Sequence, residues 1–158
     1  MAIDAQMKRF LDLIGYSEGT STHPLTKNDG YDVIVTSVNG PEIFTDYSDH
    51  PFAHRTPNVI RRVPLLESTA AGRYQLLYRY WVPYKQQLKL NDFSPASQDA
   101  VAAQQIKERH ADAAIERGDV EYAINLCSNI WASLPGNTYN QGGKTMAELV
   151  EKYNEVSA

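Results

Sequence analysis

The pattern of apolar positions predicts five helices and one β-rich segment. The first helix runs from about Ile3 to Glu18, and one side of it carries apolar residues at helical spacing: Met7, Phe10, Leu11 and Ile14. A second helix is predicted to begin near Ala70 and to end before Pro83, because proline has no amide hydrogen for a helix interior. We expect the helices to pack into one bundle-like lobe.

Capping residues mark the helices later in the chain. Ser94 followed by Pro95 predicts an N-cap and a first helical position. Gly118 followed by Asp119 predicts a stop and a new N-cap, for a helix that reaches about Asn129. The last helix is predicted from a stripe of buried residues: Met146, Leu149, Val150 and Tyr153.

The pattern between the first two helices changes to β. Residues 31–35 and 42–47 are rich in β-branched and aromatic residues, and Asn39-Gly40-Pro41 is a turn signal between them. Residues 48–67 contain three prolines and no clear period, which predicts a long irregular loop. The predicted fold class is therefore α+β, mainly α, with a helical lobe and a small β-hairpin lobe.

Composition narrows the class of protein. A chain of 158 residues with 42% hydrophobic content predicts a single globular domain over residues 1–158. The net charge of −4 argues against a nucleic-acid partner and against stable attachment to an anionic membrane. The single cysteine, Cys127, excludes an internal disulfide and fits a reducing cytoplasm.

Several kinds of segment and site are not expected. Charged residues interrupt the apolar positions near the N-terminus, so we predict no signal peptide: Asp4, Lys8, Arg9 and Asp12. The four histidines match no zinc spacing, so we predict no metal site and no cofactor. Ser17 and Ser68 lack a convincing partner for nucleophilic catalysis.

Glu18 is the candidate general acid. It lies in the last turn of the first predicted helix, where the helix dipole disfavours an anion and helps to keep the carboxyl protonated. Cleavage of a glycosidic bond needs such a proton donor near neutral pH. Position alone, however, favours a helix-terminal carboxylate that faces water.

A second carboxylate could assist the first. The candidates lie around the predicted hairpin, and turn chemistry also explains them: Asp29, Asp32, Asp46 and Asp49.

Ordered blocks across nearly the whole chain resemble the lambda-type phage endolysins, the lambda lysozyme family. The matching blocks are Tyr16-Ser17-Glu18-Gly19-Thr20, residues 30–35, 44–51, 68–77 and 92–95, and residues 127–136. The resemblance implies a lysozyme-like fold whose active-site cleft is flanked by the hairpin lobe. It also implies a lytic transglycosylase that cuts murein glycan and leaves 1,6-anhydromuramic acid ends, with Glu18 serving as acid and then as base.

The same resemblance assigns substrate contacts. Gln75 matches a glutamine that contacts saccharide in wider transglycosylase families, and Tyr74 beside it could pack on a sugar. Tyr139 matches a tyrosine near the catalytic acid, and Gln141 is assigned to substrate binding with it. Tyr31, at the start of the hairpin, is the further candidate for a cleft contact.

Two alternatives stay open. The chain could be a hydrolytic muramidase of the same fold, or a non-catalytic murein-binding module. For the preferred interpretation, the expected partner is the peptidoglycan glycan strand, and we expect a monomer. The resemblance implies accumulation in the host cytoplasm until a holin opens the inner membrane, followed by action on the wall from the periplasm.

Overall fold

The computed structural model describes residues 3–135 and 144–156. The chain divides into two compact units, one formed by the N-terminal segment through Glu18 together with the chain from Ala102 onward, the other by Gly19–Val101. The single domain over 1–158 stays a prediction.

The elements within the described ranges are, in order, α1 (Ala5–Glu18), β1 (Val33–Ser37), β2 (Gly40–Ile43), a 3-10 helix (Pro51–His54), β3 (Asn58–Arg62), β4 (Leu65–Ser68), α2 (Tyr78–Gln87), α3 (Pro95–Glu108), α4 (Asp112–Glu116), α5 (Val120–Cys127) and α6 (Met146–Val156). The predicted class, mainly α with a small β part, is confirmed.

The first unit is built around α1. Asp4 precedes this helix and caps its first turn, because Asp4 Oδ1 accepts a hydrogen bond of 2.8 Å from the Met7 amide. The helix packs against α4 and α6, and its buried face is completed by fully enclosed side chains: Phe10, Leu11, Leu13 and Ile14. It ends where Gly19 adopts φ +77. The predicted end of the first helix at Glu18 is therefore confirmed.

The second unit contains two antiparallel hairpins. β1 pairs with β2, with Val33 opposite Ile43, and β3 pairs with β4, with Asn58 opposite Ser68. The first hairpin was predicted, although β2 ends at Ile43 and not at Tyr47. The core of this unit joins buried residues from β1, the 3-10 helix, α2, α3 and the segments between them: Ile34, Phe52, Ala71, Leu76, Trp81, Phe93 and Val101.

The prediction of an irregular loop over residues 48–67 is wrong. This segment forms the 3-10 helix and the second hairpin. Pro51 begins the 3-10 helix, and Pro64 lies in the turn between β3 and β4, so the prolines delimit elements without interrupting them.

The predicted start of the second helix at Ala70 is also wrong. Ala71 pairs with Leu76 in a tight turn, and Gly72 and Gln75 both have positive φ, +85 and +53, which no α-helix accommodates. α2 begins only at Tyr78, whose amide donates to Thr69 Oγ1 at 3.0 Å. The predicted end of this helix before Pro83 is wrong as well, because α2 continues to Gln87. Pro83 removes one helical hydrogen bond, while the packing of fully buried Trp81 holds the helix in place.

The later helices follow the predicted caps. Ser94 Oγ accepts from the Ser97 amide before α3, and Asp119 Oδ1 accepts from the Tyr122 amide before α5. α4 was not predicted as a separate helix. Among the residues described, no helix is both long enough and apolar enough to cross a bilayer.

Candidate active site

Glu18 is the last residue of α1 and is partly buried. Burial raises the pKa of its carboxyl above the ordinary value, because an enclosed site disfavours the charged form. A hydrogen bond from the Ser133 side chain and the positive charge of Lys144 act in the opposite direction and lower the pKa. A carboxyl with a raised pKa can hold a proton closer to neutral pH, which a general acid requires.

Two residues beside Glu18 connect it to the rest of its unit. The Oγ atoms of Ser17 and Ser133 lie 2.8 Å apart and form a hydrogen bond across 116 positions of sequence. The Nζ atoms of Lys144 and Lys152 each lie 5.0 Å from the centroid of the Tyr16 ring. The surroundings of Glu18 are therefore polar and cationic as well as partly enclosed.

Tyr31 and Tyr74 lie inside the second unit. Their side chains are 7% and 5% exposed, and both hydroxyls donate to the same atom, Asp99 Oδ1, at 2.9 and 2.6 Å. Their rings meet edge to face with 6.2 Å between centroids. Burial is the main cause that raises the pKa of each phenol. These tyrosines make internal contacts, and their predicted contact with substrate stays a prediction.

Arg73 contacts both of these tyrosines, and the sequence analysis did not identify it as a candidate. Its side chain is only 3% exposed, and the guanidinium lies 5.2 Å from the centroid of the Tyr31 ring. Arg73 Nε donates to the Asp29 carbonyl at 2.9 Å, and Nη1 donates to the Tyr74 hydroxyl at 3.3 Å. The signal available was the block Gly72-Arg73-Tyr74-Gln75, in which a buried arginine could have been suspected from its aromatic neighbour.

Gln75 occupies the turn that precedes α2. Its backbone is left-handed, and its side-chain Nε2 donates to the carbonyls of Gly72 at 2.9 Å and Val33 at 3.4 Å. The amide nitrogen is thus already used to close the turn, while the side chain stays partly exposed. Tyr139 and Gln141, the remaining predicted substrate contacts, lie outside the described residues.

Each candidate for a second carboxylate has a partner within the second unit. Asp29 pairs with Arg73, with 3.4 Å between Oδ2 and Nη2. Asp32 Oδ2 accepts from the Lys27 amide, and Asp46 Oδ1 accepts from the Ser48 amide, both at 2.9 Å. Asp49 Oδ1 accepts from Trp81 Nε1 at 2.9 Å. The contacts of Asp32 and Asp46 with nearby amides fit the alternative explanation by turn chemistry, whereas Asp29 and Asp49 are held by side chains distant in sequence.

His50 and Cys127 are buried residues of the two units. His50 is 1% exposed and hydrogen-bonded to backbone, and Cys127 is fully buried, which raises the pKa of its thiol to about 12. Over residues 3–135 and 144–156, no group of three or more His, Cys, Asp or Glu could hold a metal ion.

The sequence is similar to endolysins of bacteriophages. A family model described as Endolysin matches residues 8–158. The chain is 57% identical to an endolysin of Escherichia phage P2 over 89% of this chain and 86% of the relative. It is 55% identical to the endolysin of Escherichia phage lambda, over 98% and 92%.

Solved structures agree with these relatives. A bacteriophage lambda lysozyme complexed with a chitohexasaccharide has a TM-score of 0.90 and 53% identity, and the match covers 100% of this chain and 97% of that one. A second lambda lysozyme structure has a TM-score of 0.86 with 51% identity and the same coverage.

Proposed function

Because this chain belongs to the endolysin family, we propose that it cleaves the MurNAc–GlcNAc β-1,4 bond of peptidoglycan by intramolecular transglycosylation. At the level of class, it is an enzymatic phage endolysin, lysozyme-like, that lyses the cell wall. The observation that carries the finer proposal is the environment of Glu18, a single carboxyl whose pKa is raised by burial at the end of α1.

The proposed reaction needs one residue in two roles. Protonated Glu18 first donates its proton to the glycosidic oxygen as the bond to the anomeric carbon breaks. The O6 hydroxyl of the same muramic acid then attacks that carbon, and the Glu18 carboxylate takes the O6 proton. Glu18 ends the reaction protonated, as it began. No water is consumed, and the product carries a 1,6-anhydro ring. The internal contacts of the four aspartates support a route that uses no second carboxylate.

We extend the proposal to substrate contacts by resemblance. Peptidoglycan glycan is the partner, and the relative complexed with a chitohexasaccharide supports oligosaccharide binding. Gln75 is the described residue best suited to contact sugar, since it is partly exposed on a turn with fixed geometry. Tyr31, Tyr74, Tyr139 and Gln141 complete the proposed set.

Hydrolysis is the second candidate, because the solved relatives carry the name lysozyme. A muramidase would admit water at the anomeric carbon and leave reducing ends. A non-catalytic murein-binding module is not supported, because the relatives are endolysins and lysozymes.

Mass spectrometry of the muropeptides released from purified murein tests the mechanism. Transglycosylation predicts disaccharide peptides lighter by one water than hydrolytic products, and no new reducing ends. Glu18→Gln should abolish release, whereas Glu121→Gln, on the exposed side of α5, should leave it unchanged. Reducing ends as the main product would refute transglycosylation, and release by Glu18→Gln would refute the role of Glu18.

Access to the wall forms the last part of the proposal. We propose that the monomer accumulates in the host cytoplasm and reaches the murein only after a holin opens the inner membrane. Cells that express the chain without a holin should stay intact until the inner membrane is permeabilised. Lysis without that step would contradict the proposed route.

A further inference from the structure

The tip of the β3–β4 hairpin exposes large apolar side chains. Val63 is 88% exposed, and Leu65 and Leu66 of β4 are 64% and 45% exposed. Every residue from 61 to 67 is exposed, so the tip projects from its unit. Aliphatic side chains that lie together in water indicate a surface that is covered when a partner binds.

The base of the same hairpin is attached to the first hairpin. The Val38 amide donates to the Val59 carbonyl at 2.9 Å, and Asn58 Nδ2 donates to the Val35 carbonyl at 3.1 Å. Asn58 is only 7% exposed. The tip is therefore presented on a fixed base, which lowers the entropy cost of ordering it on a ligand.

Two arginines lie at this tip beside the apolar side chains. Arg62 pairs with Leu65, and Arg61 pairs with Leu66. Residues paired across an antiparallel ladder lie on the same face, and successive pairs alternate between faces. Each face of the tip therefore combines one arginine with one leucine. In the part of the chain that the structure describes, neither arginine forms an ion pair, and Arg61 Nε donates to the Pro64 carbonyl at 3.0 Å.

The tip carries a local excess of positive charge. Residues 61–67 contain two arginines and one acid, Glu67, in a chain whose net charge is −4. Arg55, by contrast, is already paired, because its Nη1 donates to Glu42 Oε2 at 2.7 Å. Guanidinium groups without an acidic partner attract carboxylates, which they bind through two parallel hydrogen bonds.

We propose that the tip of the β3–β4 hairpin binds the peptide stems of murein, the short acidic peptides attached to muramic acid. Arg61 and Arg62 bind the carboxylates of a stem, and the aliphatic side chains of the tip pack on its alanine methyl groups. This inference rests on the proposed function, in which murein is the substrate, and it extends the contacts from glycan to peptide. The chain passes from the end of β4 at Ser68 into the turn that carries Gln75, the proposed sugar contact.

The composition of the tip favours an acidic peptide over an anionic membrane. Basic segments that bind anionic lipid carry about four to eight lysines and arginines, whereas this tip has two and also contains Glu67. A murein stem presents carboxylates and methyl groups at short intervals. This alternation matches a surface that has one arginine and one leucine on each face.

Calorimetric titration of the full chain tests the inference with soluble, uncrosslinked murein strands, either intact or stripped of their stems by an amidase. Glu18→Gln is the common background, so that the strands are not consumed. Arg61→Gln/Arg62→Gln should weaken binding of stem-bearing strands by about 5- to 10-fold, as expected for two exposed ion pairs, and should leave binding of stripped strands unchanged. Val63→Ser/Leu65→Ser should also weaken binding of stem-bearing strands alone, and the exposure of both side chains predicts an unaltered melting temperature.

The matched control is Arg79→Gln/Lys89→Gln, which removes two positive charges from exposed positions of the same unit and should leave binding of both strands unchanged. No weakening by the arginine variant, equal weakening on both kinds of strand, or equal weakening by the control would overturn the inference. Binding to phosphatidylglycerol vesicles that the arginine variant loses, while it keeps its binding to the strands, would also overturn it. Failure of the proposed function would show separately, as release of muropeptides by Glu18→Gln.

Discussion

His50 makes the stability of the second unit depend on pH. The imidazole is 1% exposed, its Nε2 bonds to the Leu76 carbonyl at 2.8 Å, and its Nδ1 accepts from the Phe52 amide at 3.1 Å. Since Nδ1 accepts, the ring is the neutral tautomer with hydrogen on Nε2. Burial lowers the pKa of His50 from 6.5 to about 4, because the packed ring cannot easily carry a charge.

The size and sign of the effect follow from this pKa. The unfolded chain takes up a proton on His50 below about pH 6.5, whereas the folded chain stays neutral until about pH 4. The free energy of unfolding is therefore unaffected by His50 above pH 6.5 and falls as the pH is lowered through this window. At about 1.36 kcal/mol per pKa unit, the total loss attributable to His50 is about 3 kcal/mol.

The assay is urea unfolding between pH 7 and pH 4, followed by the fluorescence of Trp81 in a Trp131→Phe background. Trp81 reports on the correct unit, because its ring lies 5.0 Å from Phe93, which in turn lies 4.8 Å from His50. His50→Asn can still accept from the Phe52 amide but cannot titrate. It should be less stable than the parent at pH 7, and its stability should fall by about 3 kcal/mol less toward pH 4.

The difference between the parent and His50→Asn isolates one group, since the other titrating side chains are shared. His54→Asn, an exposed change in the same 3-10 helix, is the matched control and should keep the full pH dependence of the parent. The reasoning is refuted if the parent and His50→Asn lose the same stability between pH 6.5 and pH 4.

Three further expectations concern other parts of the chain. Gly30→Ala should cost about 2–4 kcal/mol, because φ is +88 and a Cβ would lie 2.7 Å from the Thr20 carbonyl carbon; Gly40→Ala, at φ +104 with nothing within 4 Å, should lower the melting temperature far less. Gln75→Ala should lower turnover by about 10- to 100-fold, and unchanged kinetics would show that the sugar contact is misassigned. Glu18→Gln should raise the melting temperature near pH 7 and lose that gain toward pH 4. The reason is that a carboxyl whose folded pKa is raised weakens the fold above its unfolded pKa of about 4.3. Equal changes of the melting temperature at the two pH values would contradict this.

Local signals predicted the helices with dedicated caps. α1 ends at Glu18 because Gly19 supplies the left-handed residue, and Pro95 and Asp119 mark helix starts that the structure reproduces. Such signals act within four or five residues, so the sequence alone contains them.

Tertiary contacts decided the elements that were missed. Residues 70–77 have helix-compatible apolar spacing, yet Ala71 pairs with Ile34 of β1, and the turn is held by Gln98, whose Oε1 accepts from the Arg73 amide at 2.9 Å. The second hairpin is hard to predict because residues 48–67 contain three prolines and no clear alternation of apolar and polar residues. In a hairpin turn the missing amide hydrogen of Pro64 breaks no ladder hydrogen bond. Only the pairing of β3 with β4 shows that Pro64 lies in such a turn and not in an irregular loop.

The candidate acid shows the same division between local and distant causes. The helix end that carries Glu18 could be predicted from residues 15–19. The pKa of its carboxyl could not, because it is raised by burial and lowered by two groups more than 110 positions away, Ser133 and Lys144. Burial alone would favour a permanently protonated acid, which could donate a proton but would not readily recover one. The Ser133 hydroxyl and the Lys144 ammonium both favour the carboxylate, so they act against burial and limit the rise of the Glu18 pKa. A mechanism that uses one carboxyl as acid and then as base gains from that opposition, because the same group must release a proton and take one back in each turnover.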